Sequence, residues 1–165
     1  MKKKTSILIL CILSISIILL NLPLNTALEI SSTKTGRVIR TIALKENDFF
    51  VLSFVHSVNK RPVDEYIKID NNQLVVFKAR YDSFGAGMPE TSVDGLNLQM
   101  KENSILELTN INRRLDEFSI FVGRVAQHSI QINGQKIPLT DLGSPGESLT
   151  FKPIKASYLD LWKGR

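Results

Sequence analysis

Phe49-Phe50-Val51-Leu52-Ser53-Phe54-Val55-His56-Ser57-Val58, then Val63 to Asp70 and Leu74 to Tyr81, decide the fold class. Each stretch is rich in Val, Ile, Phe and Tyr and is bounded by Asn, Asp, Pro or Gly, the pattern of a β-strand between turns. Asn71-Asn72 is a tight-turn signal, because both central positions of a primed turn need positive φ. Outward from here the same pattern recurs at Arg37 to Leu44, Leu96 to Met100, Ile105 to Ile111, Phe118 to Ile132 and Ser148 to Ile154. Phe118 to Ile132 is too long for one straight strand, and Gly123 within it points to a bulge or a bend between two strands. Asn133-Gly134 marks another tight turn. Tyr158 to Lys163 fits a final helical turn. Short strands with regular turns predict an antiparallel β-sandwich or small barrel in one domain.

Ahead of these strands, Lys2, Lys3 and Lys4 precede a continuous apolar run from Ile7 to Leu20, ended by Asn21, Pro23 and Asn25. This is the pattern of a targeting segment. The run is short for a spanning helix and suits a signal peptide. Asn25-Thr26-Ala27, however, is a poor cleavage site, because Asn is large for the first of those positions. Residues 1–29 are therefore expected to be a signal peptide or a membrane anchor, with residues 30–165 an extracytoplasmic domain, secreted or anchored in the cytoplasmic membrane. If uncleaved, the positive end stays in the cytoplasm. Cys11 is a small apolar filler in that run.

The formal charge of +5 comes from 21 Lys and Arg against 16 Asp and Glu; without Lys2 to Lys4 it falls to about +2. No basic stripe with interleaved aromatics remains, so nucleic acid is not expected as a partner. Lys60-Arg61 and Arg113-Arg114 are read as solvated doublets at turns. Cys11 is the one cysteine, so no disulfide is available and the core must supply the stability.

If Asn59 to Pro62 forms a four-residue hairpin loop, Val58 stands opposite Val63 and His56 opposite Glu65. Leu52, Phe54 and His56 then share a face with Glu65, Ile67 and Ile69. A two-residue turn at Asn71-Asn72 adds Lys78 opposite Glu65 and Arg80 opposite Val63. A one-residue change would send Lys78 and Arg80 to the other face. Such a His–Glu–Lys row serves either as a satisfied polar cap on the core or as a ligand site or acid/base pair. Ser57 points away from His56 and is a poor nucleophile. Ser83-Phe84-Gly85-Ala86-Gly87-Met88-Pro89 is the second element: a tight corner between sheets, or a nest of amides for an anion. GxG without a following lysine-serine pair and helix is not a nucleotide loop. The two histidines, His56 and His128, form no close-spaced ligand pair, and no metal or cofactor is expected. His128 reads as packed or solvent-facing.

Together, His56-Ser57-Val58, Pro62-Val63, Glu65 and Ser83 to Pro89 resemble a bacterial domain-of-unknown-function family encoded beside TAXI-type TRAP transporters. Its members are short exported proteins or are fused to the transporter's membrane subunit. The likeness extends from about Phe49 to Phe151, including Leu142-Gly143 and Pro145-Gly146. The resemblance implies an extracytoplasmic accessory or binding module. Its partner would be the transporter's membrane subunit or solute-binding protein, and its ligand an anion, carboxylates first. The family supplies no established catalytic residues. His56, Glu65, Lys78, Arg80, Ser83, Gly85 and Gly87 are the candidate ligand-binding residues. The alternatives are a small hydrolase-like enzyme using His56 and Glu65, or a purely structural assembly factor.

Overall fold

The computed structural model describes residues 2–45, 47–85, 87–92 and 95–164, with the side chains of Lys2 and Lys3 left out. Ala86 of the glycine-rich stretch and those two lysine side chains thus lie outside the described set. A helix, α1 (Lys2–Asn21), is followed by β1 (Asn25–Ser32), β2 (Val38–Ala43), β3 (Phe49–Val55), β4 (Pro62–Asp70), β5 (Gln73–Tyr81) and β6 (Asn97–Met100). Then come β7 (Leu106–Leu115), β8 (Phe118–Phe121), β9 (Ser129–Ile132), β10 (Gln135–Pro138), β11 (Ser148–Ala156) and α2 (Tyr158–Lys163).

The strands make two antiparallel sheets, ordered β2-β1-β11-β8 and β10-β9-β3-β4-β5-β7-β6. Between them Leu28, Ile30, Leu149 and Phe151 of the smaller sheet share one core with Phe50, Leu52, Ile67, Leu74 and Ile130 of the larger. The fold is therefore a β-sandwich, as the strand pattern predicts. Phe118 and Phe151 stack at 4.9 Å within the smaller sheet. Burying each such aromatic stabilises the fold by about 1.5–3 kcal/mol. A second, smaller cluster (Val63, Ala79, Tyr81, Leu106, Leu108) lies at one end of the larger sheet, where Met88 and Leu96 from the following loop cover it.

The turn readings hold. Asn71 and Asn72 have φ of 49° and 60°, and Asn133 and Gly134 have 50° and 77°. The long apolar run breaks after Phe121, and residues 122–128, including Gly123, carry the chain from the smaller sheet to the larger. Tyr158–Lys163 is helical, capped by Ser157 and Asp160 in a reciprocal capping box.

Two expectations need correction. The sandwich begins at Asn25, five residues before the expected boundary, because β1 is an interior strand with Ala27, Leu28 and Ile30 fully buried. The apolar run Ile7 to Leu20 sits inside a longer helix: α1 has 20 residues, a length of about 30 Å. Its mean hydropathy of 2.1 over Lys4–Asn21 fits a membrane anchor and a signal sequence alike. Finally, Arg113 and Arg114 stand on β7 rather than at a turn, and Arg114 pairs with Asp70 at 2.7 Å.

Candidate functional site

β3 ends at Val55, which pairs with Pro62, so Glu65 faces Leu52 rather than His56. The hairpin loop spans His56 to Arg61, two residues more than expected. Lys60 takes a left-handed φ of 56°, its N–H donates to the His56 carbonyl at 3.0 Å, and the His56 N–H donates to the Arg61 carbonyl at 2.8 Å. This α-turn shortens the ladder and leaves Val58 exposed. His56 and Glu65 are therefore not cross-strand neighbours. The change in register is an even number of residues, however, so both still line one cavity of about 370 Å³.

Lys78 and Arg80 do not join them. A bulge at Phe77 shifts the pairing from Ile67↔Val76 to Tyr66↔Lys78. Beyond it Ala79 and Tyr81 face the small cluster, while Lys78 and Arg80 face outward. There Lys78 Nζ sits 3.9 Å from the Tyr66 ring centroid, and Phe77 packs edge-on against Phe49 and Tyr66. Arg80 donates to Glu107 at 2.7 Å, with Lys101 and Lys78 at 3.5 and 3.8 Å from the same carboxylate. Burial pushes the Glu107 carboxyl up, but the Arg80 hydrogen bond and the three cations outweigh it and hold the group below its ordinary range.

The cavity is lined by Phe54, Val63, Ala79, Leu108 and Ile111 among apolar residues, with His56, Glu65, Arg113 and Tyr81 bringing polar groups. Arg113 Nη2 donates to Glu65 Oε1 at 2.9 Å, and the guanidinium side chain remains 54% exposed. His56 Nδ1 accepts from the Val58 N–H at 3.2 Å, which places the proton of the neutral ring on Nε2. The glycine-rich stretch closes one side of this cavity. Gly85 and Gly87 take φ of 87° and 84°, values that strain any residue with a Cβ. The Met88 N–H donates to the Gly85 carbonyl at 3.1 Å, and Gly87, Met88 and Pro89 line the cavity wall. The Met88 amide is thus engaged within the stretch, and Gly87, Met88 and Pro89 cover one side of the cavity. The buried Tyr81 hydroxyl donates to the Pro89 carbonyl at 2.6 Å and pins that cover; burial pushes its phenol pKa up. Asn59 Nδ2, reaching the Phe84 carbonyl at 3.5 Å, adds a link from the hairpin loop. Ser83 bonds only locally, to the Phe84 carbonyl at 3.3 Å.

Of the expected site residues, His56, Glu65 and Gly87 meet at the cavity, Gly85 shapes its cover, Ser83 lies beside it, and Lys78 and Arg80 belong to the opposite face. Arg113 is the polar residue that sequence reading missed; its partner is 48 positions away. His128 packs at 5.8 Å from Phe54, half-buried, and burial lowers its pKa.

This constellation lies within residues 50–139, which match the family model described as "Domain of unknown function (DUF1850)". The chain belongs to that family. No curated protein and no solved structure matches it in the comparisons made. Every cavity residue named above falls inside the DUF1850 span, whereas α1, β1, β2, β11 and α2 lie outside it. The larger sheet and its cavity are thus the family's part of the molecule, and most of the smaller sheet is built from flanking segments.

Proposed function

We propose that this chain is an extracytoplasmic binding module of a TRAP-type solute transporter, and that its cavity takes a carboxylate ligand with an apolar body. One observation carries the reading: His56, Glu65 and Gly87, Met88 and Pro89, which belong to the motifs that bear the resemblance to transporter-linked proteins, converge on one cavity with an apolar floor and Arg113 at its polar edge. A guanidinium offers five N–H donors in a fixed fork. Glu65 engages one and holds the fork in place; a ligand carboxylate would accept from others. The apolar floor would bury the ligand's hydrocarbon part. An acid/base role for His56 and Glu65 has less support, because the Glu65 carboxylate is held by Arg113.

The test is calorimetric titration of the full chain in lipid nanodiscs with four- to eight-carbon monocarboxylates and the matched alcohols. The carboxylates should bind at least tenfold more tightly, since tenfold corresponds to about 1.4 kcal/mol, within the range of a charge-assisted hydrogen bond. Equal binding of acid and alcohol would overturn the ligand class. Failure of the chain to co-purify with a co-expressed TRAP-type membrane subunit would overturn the transporter role.

A further inference from the structure

The exposed apolar side chains of α1 do not stop where the helix stops. Leu22 and Leu24 follow it, and β1 starts at Asn25, so only three residues separate the helix from the sandwich. Beside this exit lies α2, whose Tyr158 and Trp162, one helical turn apart, are 57% and 72% exposed. Leu20, Leu24, Lys45, Tyr158, Leu161 and Trp162 line one apolar groove there. α2 is fixed in this position. Its capping box closes one end, and at the other the Thr41 N–H donates to the Gly164 carbonyl at 3.0 Å. A Cβ at Gly164 would lie 2.6 Å from Thr41 Cβ, so the close approach requires glycine.

Removal of α1 would also cut into the fold. Cleavage after Ala27 takes away Asn25, Thr26 and Ala27, which pair with Ala156, Lys155 and Ile154. It also removes the Thr26 carbonyl that accepts the Leu44 N–H at 3.0 Å, and a fully buried Ala27.

We propose that α1 stays on the mature chain and spans the bilayer, and that Leu22, Leu24, Tyr158 and Trp162 dock into the interfacial zone of the membrane at its exit. The occupant of the groove is lipid because the surface continues directly from an apolar helix long enough to cross a membrane. Tyr and Trp are the residues that favour the headgroup level, and Lys45, Lys155 and Lys163 near the same end suit anionic headgroups. The docking sets the orientation of the sandwich. Thr26, Lys45, Lys155 and the Asn71-Asn72 turn share the membrane-facing end. β4 runs from Asp70 at that end to Pro62 at the other, about 25 Å away at 3.3 Å per residue. The His56 cavity therefore faces away from the bilayer.

Trp162 is the only tryptophan, so its fluorescence reports this surface without background. The full chain is reconstituted in lipid vesicles of phosphatidylcholine and phosphatidylglycerol carrying nitroxide-labelled lipids. Trp162 emission should be quenched several-fold more by a nitroxide near the headgroup than by one at the acyl end, and little by aqueous iodide. A W162F/V58W variant, with tryptophan at the exposed hairpin loop, should show the reverse: iodide quenching and no lipid quenching. Mass spectrometry of membranes from expressing cells should find the chain with α1 attached. A mature N-terminus within residues 22–30 would overturn the proposal. So would iodide access to Trp162 without lipid quenching, or Trp162 shielded from both, which would mean a protein cover. Lipid quenching at position 58 equal to that at 162 would overturn the orientation.

Discussion

Tyr81→Phe tests whether the glycine-rich cover is held by one hydroxyl. The substitution keeps the buried ring and opens no void, so it isolates the hydrogen bond to the Pro89 carbonyl. A neutral hydrogen bond contributes about 0.5–1.5 kcal/mol net, and an orphaned buried carbonyl adds to the loss. Pro89 is only half-buried, so water recovers part of that addition. A loss of about 1–2 kcal/mol is expected, a fall of roughly 3–8 °C in Tm for a domain of this size. The effect should be local as well as global. Met88 N–H, bonded to Gly85, is shielded only while the cover is closed, so its hydrogen exchange should accelerate more than that of β5 amides. Carboxylate affinity should weaken in parallel, because Gly87, Met88 and Pro89 form a wall of the cavity. Thermal unfolding and exchange mass spectrometry on the same preparation measure both effects. Unchanged Tm with unchanged exchange at Met88 would refute the pinning role of Tyr81.

Glu65→Gln and Arg113→Gln should each cost less than about 1 kcal/mol, since Arg113 is half-exposed and surface ion pairs contribute little; Arg113→Gln should still lower carboxylate binding at least tenfold by calorimetry. A stability loss above 2 kcal/mol with binding intact would make the pair a core cap instead. Glu107→Gln should destabilise by about 1–2 kcal/mol at pH 7, a charged-group hydrogen bond discounted for the exposure of Arg80 and Lys101. Because the folded carboxyl titrates below its unfolded value, that stability is fully present above about pH 4.3 and lost as pH falls through the folded value. The gap in Tm between wild type and variant should therefore close as pH falls through the folded value, and a pH-independent gap would refute the assignment.

The sandwich was legible because its signals are local. Alternating β-branched and aromatic residues mark strands wherever they pair, and Asn71-Asn72 and Asn133-Gly134 announce their turns through a positive φ that few residues accept. Two strands escaped. β10, four residues after the Asn133-Gly134 turn, is too short to show a period. The first five residues of β1 read as leader because an interior strand and the end of an apolar anchor use the same residue types, and only the ladder to β11 and β2 distinguishes them.

The site failed in sequence at the places where backbone geometry, rather than residue type, sets the register. The sequence suggests a four-residue hairpin loop, and the left-handed Lys60 that lengthens it is not a residue type that advertises positive φ. The bulge at Phe77 did leave a trace. Before it, the core side of β5 is even-numbered, with Leu74 and Val76 buried against β1 and β11; after it, the apolar residues are the odd-numbered Ala79 and Tyr81, alternating with Lys78 and Arg80. A strand whose apolar phase flips by one residue must either bury two cations or insert an extra residue, and the bulge is the cheaper solution. The same flip moves Lys78 and Arg80 out of the site. It puts Ala79, with its small side chain, in the wall beside Glu65, where a lysine would have filled the cavity. Arg113, from the strand across β5, then supplies the cation at the polar edge. The bulge that displaces the expected charges is thus what leaves the cavity open.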